Sequence, residues 1–257
     1  LTGPRAGGLD PAAVRRALRR PLSDRSLGPH VVAGVAALDG SPEVLAGARD
    51  AAVPASTTKL LTSTAALEVL GPDRRFAARV GSPERGRVTL VGGGDPLLER
   101  APDRDRPVGE PPRADLRTLA GRTAEALRAD GVRRVELSYD ASLFSGPASS
   151  PTWEDDYLTS GVVSPISALW ADRGVRPDGV RASDPALEAA RAFADALREA
   201  GVRVTGAVRS RPAPDDADEV ARVVGMPLDL LVEHLVETSD NEAAEVLAHQ
   251  VGLEVEG

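Results

Sequence analysis

The sequence predicts an α/β chain, α+β when its helical ends are counted, with a small α/β unit inserted into a second domain. Three observations lead there. Strand-like and helix-like periodicities alternate from Phe76 to Val208, the pattern of a parallel sheet with helices packed on it. Helical spacing dominates on either side, in Leu60, Leu61, Thr64, Leu67 and Leu70 before the alternation and in Leu230, Leu231 and Leu235 after it. Two Pro-rich, charged stretches, Glu99–Arg113 and Arg211–Asp218, have the composition of a loop and of a linker. Residues 81–217 are therefore expected to form the inserted α/β domain, and residues 1–80 with 218–257 the domain that receives it.

Taken in order, a helix is predicted over Pro11–Arg20. An apolar strand at His30–Leu38 meets Asp39-Gly40, a two-residue hairpin turn, and continues into Val44, Leu45 and Ala46. The helix that begins at Ser56 stops at Gly71-Pro72. Strands at Phe76–Val80 and Arg87–Val91 lead into Gly92-Gly93-Gly94-Asp95-Pro96. Past the loop ending at Arg113, an amphipathic helix runs to Arg128 and a strand covers Val132–Tyr139. A loop around Trp153 and Tyr157 precedes a helix at Pro185–Ala200 and a strand at Val202–Val208. The remainder reads as helical: Pro227 opens a helix carrying Leu230, Leu231, His234 and Leu235, and a second helix covers Glu242–Val251.

Composition excludes several function classes. The 257 residues are 42% hydrophobic and 27% charged, enough for a sizeable core. Aromatics make up 3%, so Ala, Val and Leu must fill that core. A net charge of -8 argues against a nucleic-acid partner, and pairs such as Arg15-Arg16 and Arg19-Arg20 fit a solvated helix face. The absence of cysteine rules out disulfides, thiol catalysis and thiolate zinc sites. His30, His234 and His249 lack metal-ligand spacing, so neither a metal nor another cofactor is expected. No apolar run reaches the length of a membrane span, and no signal peptide opens the chain at Leu1.

One basic residue stands apart. Of 31 basic residues, 30 are arginine and one is lysine, Lys59, in the stretch "PASTTKLLT" (Pro54–Thr62). A composition that disfavours lysine codons accounts for its rarity. Chemistry offers a second reason, because arginine keeps its proton in proteins whereas a desolvated lysine becomes a neutral amine able to act as a base. Ser56 lies three positions before Lys59 on the same helix face, and Ser63, four positions after it, is also within reach. Ser56 is the better nucleophile candidate, since N–H groups at a helix start stabilise developing negative charge. The same helix end, with burial among Leu60, Leu61 and Leu67, is expected to favour the neutral amine. A serine three positions before a single lysine arises by chance about one time in fifteen, so this spacing alone is not specific. Ser239-Asp240-Asn241 is ambiguous too: Ser239 with Glu242 three positions later is a capping box, yet its hydroxyl and the Asn241 amide also suit a peptide-binding cleft.

The pair S-x-x-K and S-D-N forms two of the three active-site motifs of penicillin-binding proteins and class A β-lactamases. Around them, "VPASTTKLLTSTAALEVLG" (Val53–Gly71), "LVGGGDPLL" (Leu90–Leu98), "YDASLFSG" (Tyr139–Gly146), "GVVSPISALW" (Gly161–Trp170) and "SDNEAAEVLAHQVG" (Ser239–Gly252) follow one another across most of the chain. Together they resemble the D-alanyl-D-alanine carboxypeptidase/endopeptidase family, the class C low-molecular-mass penicillin-binding proteins. The 183 positions from Ser56 to Ser239 accommodate the insertion usual in that family, and class A β-lactamases have a much shorter segment there. A β-lactamase is the less favoured reading on that account, and a non-catalytic binder of cell-wall peptide is the other alternative.

The resemblance implies a transpeptidase-type domain of the penicillin-binding-protein and serine β-lactamase fold, working outside the cytoplasm. Ser56 would attack a terminal D-alanyl-D-alanine bond of a peptidoglycan stem peptide, Lys59 would take its proton, Ser239 would relay a proton to the leaving amine and Asn241 would bind the substrate backbone. β-Lactams would acylate the same serine. In "WEDDY" (Trp153–Tyr157), Trp153 and Asp156 would recognise an amine on the stem peptide. The third motif of the superfamily, K-T-G or H-T-G, does not occur in the 16 residues after Asn241. The penicillin-binding domain is therefore expected to be C-terminally incomplete. These residues alone should be weak catalysts, because loss of one oxyanion donor lowers turnover roughly a hundredfold.

Overall fold

The computed structural model of the protein describes residues 9–37, 43–47 and 51–256. It divides into two compact units, Leu1–Ala55 and Ser56–Gly257. In the first, α1 (Pro11–Arg19) begins where Asp10 accepts the Ala12 N–H at 2.9 Å, and Pro11 occupies a position whose N–H would have no helical partner. Two single 3-10 turns lead to β1 (Val32–Ala36), which pairs antiparallel with β2 (Glu43–Gly47), Gly34 opposite Leu45. The expected strand pair is present, and the Asp39-Gly40 turn lies outside the described residues.

The second unit opens with α2 (Thr58–Leu70) and then builds a five-stranded sheet. Its strands are β3 (Ala77–Glu84), β4 (Arg87–Val91), β5 (Arg134–Asp140), β6 (Arg203–Ser210) and β7 (Asp218–Val224), in the order β6-β5-β4-β3-β7. β3 pairs antiparallel with β4 and β7, whereas β4, β5 and β6 run parallel. Parallel neighbours need crossovers, supplied here by α3 (Leu116–Ala129) and α4 (Pro185–Glu199). Asp115 and Asp184 cap these helices by accepting the N–H groups of Thr118 and Leu187. Leu119, Ala120 and Leu127 of α3 and Ala190, Phe193 and Leu197 of α4 form one core with Val80, Leu90, Val135 and Leu137 of the sheet. Apart from Trp170 and Phe193, the largest fully buried side chains are leucines, as an aromatic-poor composition requires.

β7 corrects the expectation of a linker running into a wholly helical end. Its residues 218–224, "DEVARVV", mix apolar with charged side chains as an edge strand does: Val223 joins the core while Glu219 and Arg222 face water. The expected limits of the insertion, residues 81 and 217, fall inside β3 and immediately before β7, so one sheet takes strands from both sides of them.

A second core joins α2 to α5 (Leu228–Thr238) and α6 (Asn241–Glu256) through Ala66, Leu231, Leu235, Ala243 and Leu247, with Phe76, Leu97 and Met226 beneath them. A smaller cluster of Ile166, Trp170 and Val246 packs with Phe144 and Trp153. The segment Gly92–Pro96 runs between strand β4 and these helices. A Cβ at Gly93 would stand 2.1 Å from the Ala77 carbonyl oxygen, so only bare backbone fits there. Gln250 of α6 donates to the Gly93 and Gly94 carbonyls at 2.8 and 3.2 Å, fixing α6 against the segment. No helix among the described residues is long and apolar enough to cross a membrane.

Asp95 in this segment is buried. Its Oδ1 accepts the Leu97 N–H at 3.0 Å, while Oδ2 has no hydrogen-bond partner among the described residues. Burial pushes its pKa from 3.8 up to about 6, against the opposing Leu97 hydrogen bond. Folding raises this pKa, so the folded chain holds the proton more tightly, and the resulting stability, complete below about pH 4, is lost as pH rises through about 6. Asp95→Asn keeps an acceptor for Leu97 and cannot ionise. In thermal melts it is expected to be more stable than the parent at pH 8, by roughly 2–3 kcal/mol at most, with the two chains converging near pH 4.

Candidate active site

Ser56 sits in the single 3-10 turn Ala55–Thr57 that leads into α2, and Lys59 lies in the first turn of the helix proper. Lys59 is only 9% exposed, whereas Leu60 and Leu61 are 54% and 72% exposed. The expected burial among these leucines is therefore not what encloses the lysine, because the helix turns both outward. The side chain instead lies under the junction of α5 and α6, where its Nζ donates to Ser239 Oγ at 3.4 Å and to Asn241 Oδ1 at 2.5 Å. The same nitrogen reaches Ser56 Oγ at 3.1 Å. Ser63, the other serine within reach along the helix, is buried and its hydroxyl makes no hydrogen bond among the described residues.

All three partners of Lys59 are neutral oxygens, and among the described residues it forms no ion pair. The two carboxylates flanking Asn241 are engaged elsewhere. Asp240 pairs with Arg173 and Glu242 with Arg181. Ser56, Ser239 and Asn241 are exposed while the lysine between them is buried, so a ligand has access to the hydroxyls and not to the amine stem.

The α5–α6 junction explains how Ser239 faces Lys59. α5 ends as Ser239 takes left-handed backbone angles, φ 55° and ψ 40°, and its N–H returns to the Leu235 carbonyl. That turn carries the Ser239 hydroxyl to Lys59. The capping box expected of Ser239 and Glu242 is not formed: Asp240 Oδ1 accepts the N–H groups of Glu242 and Ala243, both at 3.0 Å, and so caps α6. A carboxylate is the stronger acceptor at a helix N-terminus, which leaves the serine oxygen unused by the helix. Sequence offered Ser239 as the cap, and the left-handed turn at Ser239 gives that place to Asp240.

Trp153 packs against Ile166, Trp170 and Val246, the last on α6, whose first residue is Asn241. Asp156 is exposed, and its carbonyl accepts from the Ser160 N–H at 2.7 Å, the Ser160 hydroxyl at 2.6 Å and the Thr159 hydroxyl at 3.2 Å. Among the described residues no hydrogen bond joins Asp156 to Ser56, Lys59, Ser239 or Asn241. His234 of α5 has its imidazole held below the usual range by burial first and by the Arg113 charge second. The arginines that grip Asp240 and Glu242 had no signal in sequence beyond two acidic residues beside Asn241.

Residues 15–179 and 175–257 match the D-Ala-D-Ala carboxypeptidase 3 (S13) family. The chain belongs to that family. Among curated relatives of this S13 chain, Carboxypeptidase Rv3627c of Mycobacterium tuberculosis is 36% identical over 210 residues, covering 79% of the chain and 44% of the relative. Carboxypeptidase DacB of Mycolicibacterium smegmatis is 32% identical over 211 residues, covering 80% and 44%. The S13 chain thus spans less than half the length of either. Among solved structures, penicillin binding protein 4 (dacB) of Haemophilus influenzae shares the fold with a TM-score of 0.66 at 17% identity, covering 96% of this chain and 66% of that one. The α/β class and penicillin-binding-protein fold expected from sequence are therefore those found.

The two readings of the S-D-N turn separate by stability. Asp240→Ala removes the cap of α6 and the partner of Arg173, and it is expected to cost about 2 kcal/mol or more in denaturant melts. Ser239→Ala, which caps nothing, is expected to stay within about 0.5 kcal/mol of the parent.

Proposed function

We propose that this chain carries the nucleophile and proton-transfer groups of a serine-type D-Ala-D-Ala carboxypeptidase/endopeptidase that acts on peptidoglycan stem peptides outside the cytoplasm. The observation that carries the reading is the position of Lys59 Nζ, within 3.4 Å of the oxygens of Ser56, Ser239 and Asn241 at once. One amine beside two hydroxyls can accept a proton from one and return it through the other. Membership of the S13 family and two curated relatives named as carboxypeptidases support the same reading.

In the proposed reaction the Ser56 oxygen attacks the carbonyl carbon of the penultimate D-alanine while Lys59 takes the hydroxyl proton. The tetrahedral intermediate collapses as the C–N bond breaks, and the Ser239 hydroxyl, replenished from Lys59, delivers a proton to the departing amine. The product is an acyl ester on Ser56 and a free amine. Water, deprotonated by the same lysine, then hydrolyses the ester. Asn241, whose Oδ1 holds Lys59, has its NH2 left to bind a substrate carbonyl. Trp153 and Asp156 are proposed to recognise the stem-peptide amine, the tryptophan through its ring and the aspartate through its exposed carboxylate. β-Lactams, whose strained amide mimics the scissile bond, are the expected covalent inhibitors.

Fluorescent penicillin tests this on an intact, full-length version of the protein. Covalent label on Ser56 is expected, with Lys59→Arg lowering the acylation rate roughly a hundredfold or more, the usual contribution of a general base. Undiminished labelling of Lys59→Arg shows that the lysine is not the base, and an unlabelled parent chain points to a peptide-binding relative without turnover.

A further inference from the structure

The carboxylates on both sides of Asn241 are gripped by arginines from one loop, and neither arginine belongs to either active-site motif. Arg173 Nη1 reaches Asp240 Oδ2 at 3.2 Å, while the other oxygen of that carboxylate caps α6. Arg181 Nη1 reaches Glu242 Oε1 at 2.5 Å, and the Ser164 N–H reaches the same oxygen at 2.9 Å. The Asp240 and Glu242 side chains are 2% and 5% exposed, so each ion pair is buried on its acidic side. Removing one partner of such a pair strands a buried charge and forces its neighbours to rearrange.

The loop that supplies the arginines is held in an unusual shape. Asp172, Arg173 and Gly174 all have positive φ, 52°, 55° and 72°. For the two non-glycine residues this strain persists only where the surroundings over-determine it. Here they do: the Arg173 carbonyl accepts from Ser164 Oγ at 2.7 Å and from Arg181 Nη1 at 3.3 Å. Arg181 also donates to Ser164 Oγ at 3.1 Å and, through Nε, to the Gly161 carbonyl at 3.0 Å. One guanidinium therefore ties together the end of the loop carrying Trp153, the strained turn at Arg173 and the residue after Asn241.

We infer that Arg181, with Arg173 beside it, is a positioning residue for acyl transfer: the two arginines clamp the carboxylates flanking Asn241 and so hold Ser239 and Asn241 at the Lys59 amine. Their effect is exerted through the turn, without contact with substrate. The inference rests on the acyl-transfer reading above, and it adds to that reading the part of the fold on which the geometry depends.

The test resolves penicillin acylation of an intact, full-length version of the protein into a binding constant and an acylation rate constant, for the parent, Arg181→Met, Glu242→Gln and the double variant, with a thermal melt of each. Glu242→Gln keeps a carbonyl oxygen for the Ser164 N–H. Each single substitution is expected to lower the acylation rate constant about tenfold or more with less change in binding, since small misplacements of reacting groups are costly. The double variant is expected to be no slower than the slower single one, as for residues acting as a pair, and Arg181→Lys to recover part of the rate. Should Arg181→Met not fold, the half-exposed Arg173→Met is the second arm, with the same expected loss of rate. Parental acylation rates in folded variants with only the melting temperature lowered, or losses that multiply in the double variant, overturn the inference. An unlabelled parent chain overturns the acyl-transfer reading, and this inference with it.

Discussion

A single amine nitrogen that must meet oxygens from residues 180 and 182 positions away constrains the rest of the second unit. Hydrogen-bond contacts of this kind tolerate displacements of only a few tenths of an ångström. The two elements that carry them must therefore be rigid and fixed to each other. α2 and α6 meet this need because each brings its first turn to the contact and packs its following turns into one core, with Ala66 on one side and Ala243 and Leu247 on the other. Alanine at the crossing lets the helices approach closely. Behind them, Gln250 fastens α6 to the Gly93 and Gly94 carbonyls, and a glycine-only segment lets that backbone lie against Ala77. The sheet core and the helical core are thus joined by the same residues that fix the axis of α6.

The elements that were legible in sequence share a physical property: their signal is local. Leu67 and Leu70 recur at helical spacing because that face of α2 meets a core, and β5 alternates, with Val135, Leu137 and Tyr139 buried and Arg134 and Glu136 exposed, as a strand with one covered face does. Serine three positions from lysine is also local geometry, since a helix turn brings them together whatever the tertiary structure. β7 had no such signal. An edge strand that buries one residue, Val223, has too little alternation to stand out beside a Pro- and Asp-rich stretch, and its partner β3 lies some 140 positions earlier. Leu60 and Leu61 misled in the opposite direction. Apolar residues next to Lys59 suggested burial, yet the lysine is enclosed by a turn from another part of the chain while the leucines face outward.

The S-D-N turn marks the boundary between the two cases. That it joins two helices was readable from its polar residues, but which residue caps and which faces the cleft depends on one backbone angle, the positive φ of Ser239. Sequence propensity favours serine, asparagine and aspartate almost equally as caps. Tertiary contacts break the tie, because Arg173 draws the Asp240 carboxylate inward to a place where its other oxygen meets the N–H groups of α6. Nothing local in residues 239–242 encodes that arginine.

The contrast between one lysine and 30 arginines then has an electrostatic meaning. Guanidinium groups hold their charge and match carboxylates, so they suit the acidic residues beside Asn241, and Arg173 and Arg181 occupy those places. A carboxylate left unpaired next to an amine favours its protonated form. Pairing both acids with arginine leaves the amine facing neutral oxygens, two hydroxyls and an amide. An arginine at position 59 could not replace the lysine in this arrangement, since its planar fork cannot bring one nitrogen to three convergent oxygens and it has no accessible neutral state. Guanidinium groups thus stand where acids need partners, and the single lysine stands where its partner oxygens are neutral.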